Sequence, residues 1–238
     1  MNHDLSEILT HLGEDRQHGY NAVVPPIVQS GNFACATVAE LRHVLANEFE
    51  RPLYTRGVNP TVAAVRRKLA ALEHAEDALL FSSGSGAIAA AVISFVKAGD
   101  HIVCVHKPYS WTKKLLTELV HRFGVETTFV DGTDARNYRE AIRPNTTFFI
   151  TESPNSHTFE LQDLAAVAAI AKERNITTLC DNSYNSPLFQ HPLDQGIDLV
   201  AHSGTKYLNG HSDVVCGVLA GSSARIRQVM SKEFMTLG

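Results

Sequence analysis

From residue 78 onward, short apolar runs alternate with helix-patterned segments, and this alternation constrains the fold more than any other feature of the chain. The runs are ALLF from Ala78, HIVCV from His101, VETTFV from Val125, TTFFIT from Thr146, ITTLCD from Ile176, DLVAHS from Asp198 and DVVCGVLAG from Asp213. They are rich in the β-branched and aromatic residues that suit strands. Between them lie helical patterns, the clearest being Leu161–Arg174, where Leu161, Leu164, Val167, Ala168 and Ala171 fall on one side. Strand and helix alternating at this spacing predict an α/β fold, a mostly parallel doubly wound sheet flanked by helices.

The first quarter reads differently. Residues 17–35 carry Pro25-Pro26 with several Gly and Asn, an extended arm. A short helix is expected around Val38–Leu45, then a loop, RPLYTRGVNP. Asn59 caps a further helix with Pro60 at its first position, running to about His74 with Val62, Val65, Leu69 and Leu72 on one face. This divides the chain into an arm with short helices, 1–57, and a large domain, 58–238.

Charge and cysteine usage narrow the function classes. Twenty-one Lys and Arg against 25 acids give a net charge of −4, which does not favour nucleic acid or an anionic membrane surface. The longest uncharged apolar stretch, Ala87 to Val96, is short of the roughly 20 residues of a membrane span. The start, MNHDLSEILTHLGEDR, has no apolar signal core, so a cytoplasmic protein is expected. Cys35, Cys104, Cys180 and Cys216 are widely separated, which predicts free thiols in a reducing compartment and no metal cluster.

Ligands of open parallel sheets bind at the carboxyl ends of the strands, and three polar features fall there. SSGSGA (Ser82–Ala87) joins a strand to a helix whose free N–H groups suit a phosphate. It also fits the GxGxxA form of a dinucleotide fingerprint. The next strand ends Cys104-Val105-His106-Lys107, without the acid that fingerprint expects, so a phosphate cradle is favoured over a nicotinamide dehydrogenase. Asp181 closes ITTLC, where it could meet a cation or cap a turn. Lys206 lies in HSGTKYLNGHSD among hydroxyls and glycines, a setting for an amine nucleophile or a solvated charge. Cradle, carboxylate and lysine together are what pyridoxal 5'-phosphate needs.

With YTRGVNPTV, SSGSGA, ESP at 152–154, DNSY at 181–184 and HSGTKYLNGHSDVVCG in order, the chain resembles the cystathionine γ-synthase/cystathionine β-lyase family, the pyridoxal-phosphate enzymes of cysteine and methionine metabolism. The resemblance implies the large domain of the type I pyridoxal-phosphate transferase fold. It implies that Lys206 joins the cofactor's aldehyde and shuttles protons, and that Asp181 pairs with the pyridine nitrogen. The backbone of Gly84 and Ser85, with Ser203 and Thr205, would bind the phosphate. Tyr109 would stack on the ring and act on the substrate, and Tyr54 and Arg56 would reach the phosphate of a neighbouring subunit. A dimer with shared sites follows, doubled to a homotetramer. His202 and His211, flanking the lysine, read as structural.

The implied reaction is β- or γ-elimination at a carbon–sulfur bond of a small amino acid such as cystathionine. A γ-replacement synthase and a cofactor-binding but catalytically silent homologue are the alternatives. Ser85 stands where the family usually has Met, Ser156 where it has an asparagine near the cofactor, and Ser110-Trp111 follow Tyr109 where it often has two glycines. The family's smaller C-terminal domain, which the resemblance implies carries the arginine for the substrate carboxylate, is expected to be absent from this chain. Without it the expectation is retained cofactor chemistry, impaired turnover and an exposed apolar face on the last helix.

Overall fold

The computed structural model describes residues 4–237. Seven strands, β1 (Asp77–Phe81), β2 (His101–Val105), β3 (Glu126–Val130), β4 (Thr146–Glu152), β5 (Thr177–Asp181), β6 (Leu199–Ser203) and β7 (Gly217–Gly221), form one sheet in the order β1-β7-β6-β5-β4-β2-β3. The run β6-β5-β4-β2-β3 is parallel, whereas β7 lies antiparallel to both neighbours, β1 and β6. β2 is buried throughout and β4 nearly so, the uniform apolar burial of strands covered on both faces.

Helices α1 (Leu5–Thr10), α2 (Val38–Ala46) and α3 (Pro60–Leu72) precede the sheet. Between and after the strands come α4 (Gly84–Phe95), α5 (Ser110–Lys114), α6 (Arg136–Glu140), α7 (Leu164–Glu173), α8 (Ser186–Phe189), α9 (Ser223–Val229) and α10 (Met235–Leu237). Strand alternation sends Leu79 and Phe81 into the main core with α4 and α9, and Ala78 into a smaller cluster with Ala70 of α3. Sheet faces are thus covered on both sides, as the alternating pattern predicts.

Two local features are new and two local expectations are corrected. The polar start forms α1, capped by Asp4, and it rests on α3 through Lys68 Nζ donating to the Leu9 carbonyl at 2.8 Å. α3 docks by another face than its valines: Val62 and Val65 are 38% and 41% exposed, while Ala70 is buried. Arg66, one turn before Ala70, donates to the Ala78 carbonyl at 2.6 Å and to both Asp77 oxygens at 3.0 Å, fixing that face on β1. The helical segment after β2 is divided into α5, a π turn at Leu115–Leu119 and a 3₁₀ turn at His121–Phe123. The last helix, α9 with a π turn at Met230–Phe234, buries its apolar residues Ile226, Val229, Met230 and Phe234 in the main core.

His101 lies fully buried on β2, its ring nitrogens bonded to the hydroxyls of Thr146 (2.8 Å) and Thr128 (2.9 Å). Burial, with the nearby Arg143 guanidinium, pushes its imidazole down to about 4. The unfolded chain therefore binds a proton there from about pH 6.5 downward while the folded chain does not, so this residue's contribution to stability is lost as pH falls from about 6.5 towards 4. The urea midpoint of the wild type should fall across that window relative to His101→Gln, which lacks this part of the slope.

Candidate active site

The strand ends converge where β6 meets the start of α4. Ser83 caps α4, its hydroxyl accepting from the Gly86 N–H at 3.0 Å and its carbonyl from the Ala87 N–H at 3.0 Å. The N–H groups of Gly84 and Ser85 fall outside the helical ladder and point off its N-terminus. Gly84 presses on β6: a Cβ there would lie 2.7 Å from Ser203 Cα, so only glycine lets the helix start so close to the strand end.

A hydrogen-bonded chain runs from this contact across the sheet. The Ser203 N–H donates to Ser183 Oγ at 2.6 Å, and the Ser183 hydroxyl donates to Asp181 Oδ1 at 2.6 Å. The Ser183 N–H reaches the same Oδ1 at 3.0 Å, while Oδ2 has no hydrogen-bond partner among the described residues. The Lys206 N–H donates to the Ser203 carbonyl at 3.1 Å, and its Nζ stands 5.2 Å from the ring centroid of Tyr109. The Thr205 hydroxyl is turned to Cys216, accepting from its N–H at 3.1 Å and donating to its carbonyl at 3.2 Å. Lys206 and Asp181 line one cleft, together with Glu152, Ser156, Ser183 and Tyr184.

Tyr54 and Arg56 stand apart from that lining. Both are exposed, the Arg56 guanidinium lies 4.7 Å from the Tyr54 ring centroid, and Tyr54 forms a β-bridge with Asn32 of the arm.

Glu152 is not among the sequence-expected site residues, although the strand-end rule that selects Asp181 selects it too. It ends β4 in register with Asp181 and is buried. Its Oε2 accepts from the Tyr109 N–H at 2.7 Å, and its Oε1 from the Ser156 N–H at 2.6 Å and from the Ser156 hydroxyl. Burial raises its carboxyl above the usual range, the charge of Asp181 adds to this, and the bonds from Ser156 and Tyr109 oppose it.

Behind the cleft, His202 is fully buried with its Nε2 on Glu73 Oε1. Asn182, next to Asp181, donates to that same oxygen at 3.2 Å and to the Gln190 carbonyl at 2.9 Å. This is a structural tie between α3, β6 and the loop after β5. All four cysteines are free thiols; Cys104 and Cys180 are buried, and burial pushes the Cys180 thiol up to about 12.

Among the described residues the fold brings together one group of metal-ligating types that the sequence spacing does not reveal. His74, His191 and Asp194 have ligand atoms within 4.8 Å of one another. The two imidazoles are stacked, centroids 3.9 Å apart and planes 7° from parallel. Their in-plane lone pairs run side by side and do not converge on one ion, while His74 Nδ1 is bonded to Asp194 at 2.7 Å.

Among the described residues no helix is long and apolar enough to cross a membrane. Residues 6–238 match the family model described as Cys/Met metabolism PLP-dependent enzyme. The chain is 42% identical to the L-methionine gamma-lyase of Treponema denticola over 88% of its own length and 53% of that protein. It is 40% identical to the cystathionine gamma-lyase of Bacillus subtilis, covering 92% of this chain and 55% of that one. The solved structure of metB from Corynebacterium glutamicum superposes with a TM-score of 0.89 at 33% identity, over 96% of this chain and 58% of that one. The chain thus spans about half the length of the relatives it matches. A match along nearly the whole chain, on a sheet of this topology with lysine, carboxylate and glycine turn at its strand ends, shows that the chain belongs to the Cys/Met metabolism PLP-dependent enzymes.

Proposed function

We propose that this chain is the cofactor-binding part of an enzyme that breaks a carbon–sulfur bond of a small sulfur-containing amino acid by β- or γ-elimination. The observation that carries the reading is that Lys206 and Asp181 line one cleft, with the lysine Nζ 5.2 Å from the Tyr109 ring. The residues fit pyridoxal phosphate: the free N–H groups of Gly84 and Ser85, set beside Ser203 by the close approach that only glycine allows, suit a phosphate, and Asp181 has an oxygen to spare for a protonated ring nitrogen. When bound, the cofactor supplies an electron sink for negative charge at the substrate α-carbon.

The chain's own groups do the rest. Asp181 holds a proton on the ring nitrogen, with Ser183 fixing its other oxygen. Gly84, Ser85 and the Ser203 hydroxyl bind phosphate. The Thr205 hydroxyl would join them by redirecting its proton from the Cys216 carbonyl to the phosphate while still accepting from the Cys216 N–H. Lys206 would carry the covalent link and, once the substrate amine has displaced it, its freed amine would move the proton between the α-carbon and the leaving side of the substrate. Tyr109 stacks on the ring and presents its phenol to the substrate amine. Exposed Tyr54 and Arg56, already paired in the arm, supply a cation and a hydroxyl to the phosphate of a second subunit, so the working unit is a homodimer, paired again into a tetramer, in the cytoplasm. The arm, 1–57, and the large domain, 58–238, are its two parts.

The test is a product assay on the full-length protein with cystathionine, cysteine and methionine, and with an O-acylhomoserine plus a thiol. Pyruvate or 2-oxobutyrate is the expected product. Cystathionine or another thioether from the last pair would assign γ-replacement. A visible cofactor band with no product from any of them would assign a silent cofactor-binding homologue.

A further inference from the structure

We propose that Glu152 is a positioning residue, a carboxylate clamp that joins the loop bearing Tyr109 to the loop bearing Ser156 and so holds the tyrosine ring beside Lys206. The clamp itself is read from the free chain; its consequence for cofactor binding rests on the function proposed above.

The groups that meet Glu152 are all donors. Oε2 takes the Tyr109 N–H at 2.7 Å, and Oε1 takes the N–H and the hydroxyl of Ser156. Tyr109 and Glu152 are 43 residues apart in sequence, and this bond joins the segment after β2 to the end of the neighbouring strand β4. Tyr109 stands at the start of α5, which is five residues long and has no side-chain cap. So short a helix does not hold its own first turn. Further ties span the same two loops without touching Tyr109: Asn155 Nδ2 donates to the His106 carbonyl at 3.2 Å and to the Lys107 carbonyl at 3.5 Å, and Lys107 Nζ donates to Glu160 Oε1 at 3.2 Å.

Donors on both oxygens demand an acceptor-only group. Glutamine would turn its amide N–H₂ against either the Tyr109 or the Ser156 N–H, leaving a buried donor facing a donor. Aspartate is one methylene shorter and cannot span both loops from the same backbone position. The clamp also adds a second negative charge beside Asp181, opposite the single ammonium of Lys206. That balance favours a cation between them, as a protonated ring nitrogen would be.

The chain has one tryptophan, Trp111, two residues after Tyr109 and 56% exposed on α5, so it reports the position of that turn. The experiment compares the wild-type chain of 238 residues with Glu152→Gln, Glu152→Asp and Ser156→Ala. It reads Trp111 emission in the cofactor-free protein from pH 4 to pH 8 (roughly the range a raised carboxyl and its neighbours cover), and pyridoxal-phosphate affinity by equilibrium titration. Titratable groups facing Glu152 are Asp181 from β5, Cys104 from β2, Tyr109 from α5 and Lys206. In that window Glu152 is the one whose protonation opens the clamp.

The expected result is a pH-dependent change of Trp111 emission in the wild type, centred above the ordinary glutamate range, that Glu152→Gln abolishes. Glu152→Gln should also weaken cofactor affinity about tenfold or more. Ser156→Ala, which spares the Ser156 N–H, should move both readings less and in the same direction. Glu152→Asp folds with its charge kept, and should show an altered emission with a titration still present. An unchanged, still pH-dependent emission in Glu152→Gln overturns the clamp, whatever happens to affinity. A wild type whose Trp111 titrates as expected but which binds no pyridoxal phosphate overturns the proposed function and leaves the clamp standing.

Discussion

Lys206→Ala in the full-length protein is expected to lower elimination by more than about 10⁴-fold, beyond the roughly 10²–10⁴ attached to losing one acid–base group. Under the proposed function Lys206 is both the covalent anchor and the proton carrier, so a single truncation removes two contributions. The fold should hardly notice. Lys206 is exposed, and its backbone is held without its side chain, by its N–H on the Ser203 carbonyl and by the Thr205–Cys216 pair one residue earlier. The expected stability change lies within about 0.5 kcal/mol. Borohydride reduction with pyridoxal phosphate, followed by peptide mass measurement, checks the chemistry directly. Wild type should gain the cofactor's mass on the peptide containing residue 206, and the variant should gain none. Labelling at another lysine, for instance Lys107, which is already paired with Glu160 at 3.2 Å, would move the active centre elsewhere.

What the sequence disclosed follows from the range of the interactions involved. Strands covered on both faces read as uninterrupted apolar runs, so all seven runs coincide with strands. The reversal of β7 left no trace, because a run such as Gly217–Gly221 has the same composition in either direction. Helix α1 was hidden for the opposite reason: of its six residues only Ile8 is buried, too little to imprint a pattern. On α3 the helical period was right and the docked face wrong, since Arg66 and its bonds to Ala78 and Asp77 decide which side meets the sheet.

In the site, Asp181, Lys206 and the glycine turn were legible because each sits where a strand ends. Glu152 obeys the same rule, yet the partner that ties it to Tyr109 is a backbone N–H 43 residues away, and a backbone donor has no letter in the sequence. Side-chain pairs of similar reach, such as Glu73 with His202 (129 residues apart), are equally invisible until the sheet brings them together.

The second large effect concerns the cradle and needs no substrate. A Cβ at Gly217 would lie 2.0 Å from the Ser83 carbonyl oxygen, 2.4 Å from its carbon and 2.8 Å from Gly84 N. All three are backbone atoms, so no side-chain rotation relieves the clash. Either β7 leaves its register with β1 and β6, or the first turn of α4 moves. Overpacking usually costs about 1–3 kcal/mol, and a clash confined to backbone belongs at or above the top of that range. Gly217→Ala should therefore lower the urea midpoint strongly and, in the fraction that stays folded, weaken phosphate and pyridoxal-phosphate binding by more than about tenfold.

Gly99→Ala separates this from ordinary glycine strain. Its φ of +87° penalises any side chain, by about 1–2 kcal/mol, but nothing lies within 4 Å of the added Cβ, and the position is in the turn before β2. It should lose stability and keep cofactor affinity. Should Gly217→Ala bind the cofactor as tightly as Gly99→Ala does while amide exchange shows β7 still paired with β1 and β6, the N–H groups of Gly84 and Ser85 are not what holds the phosphate, because with β7 in place it is the carbonyl beside them that must be displaced.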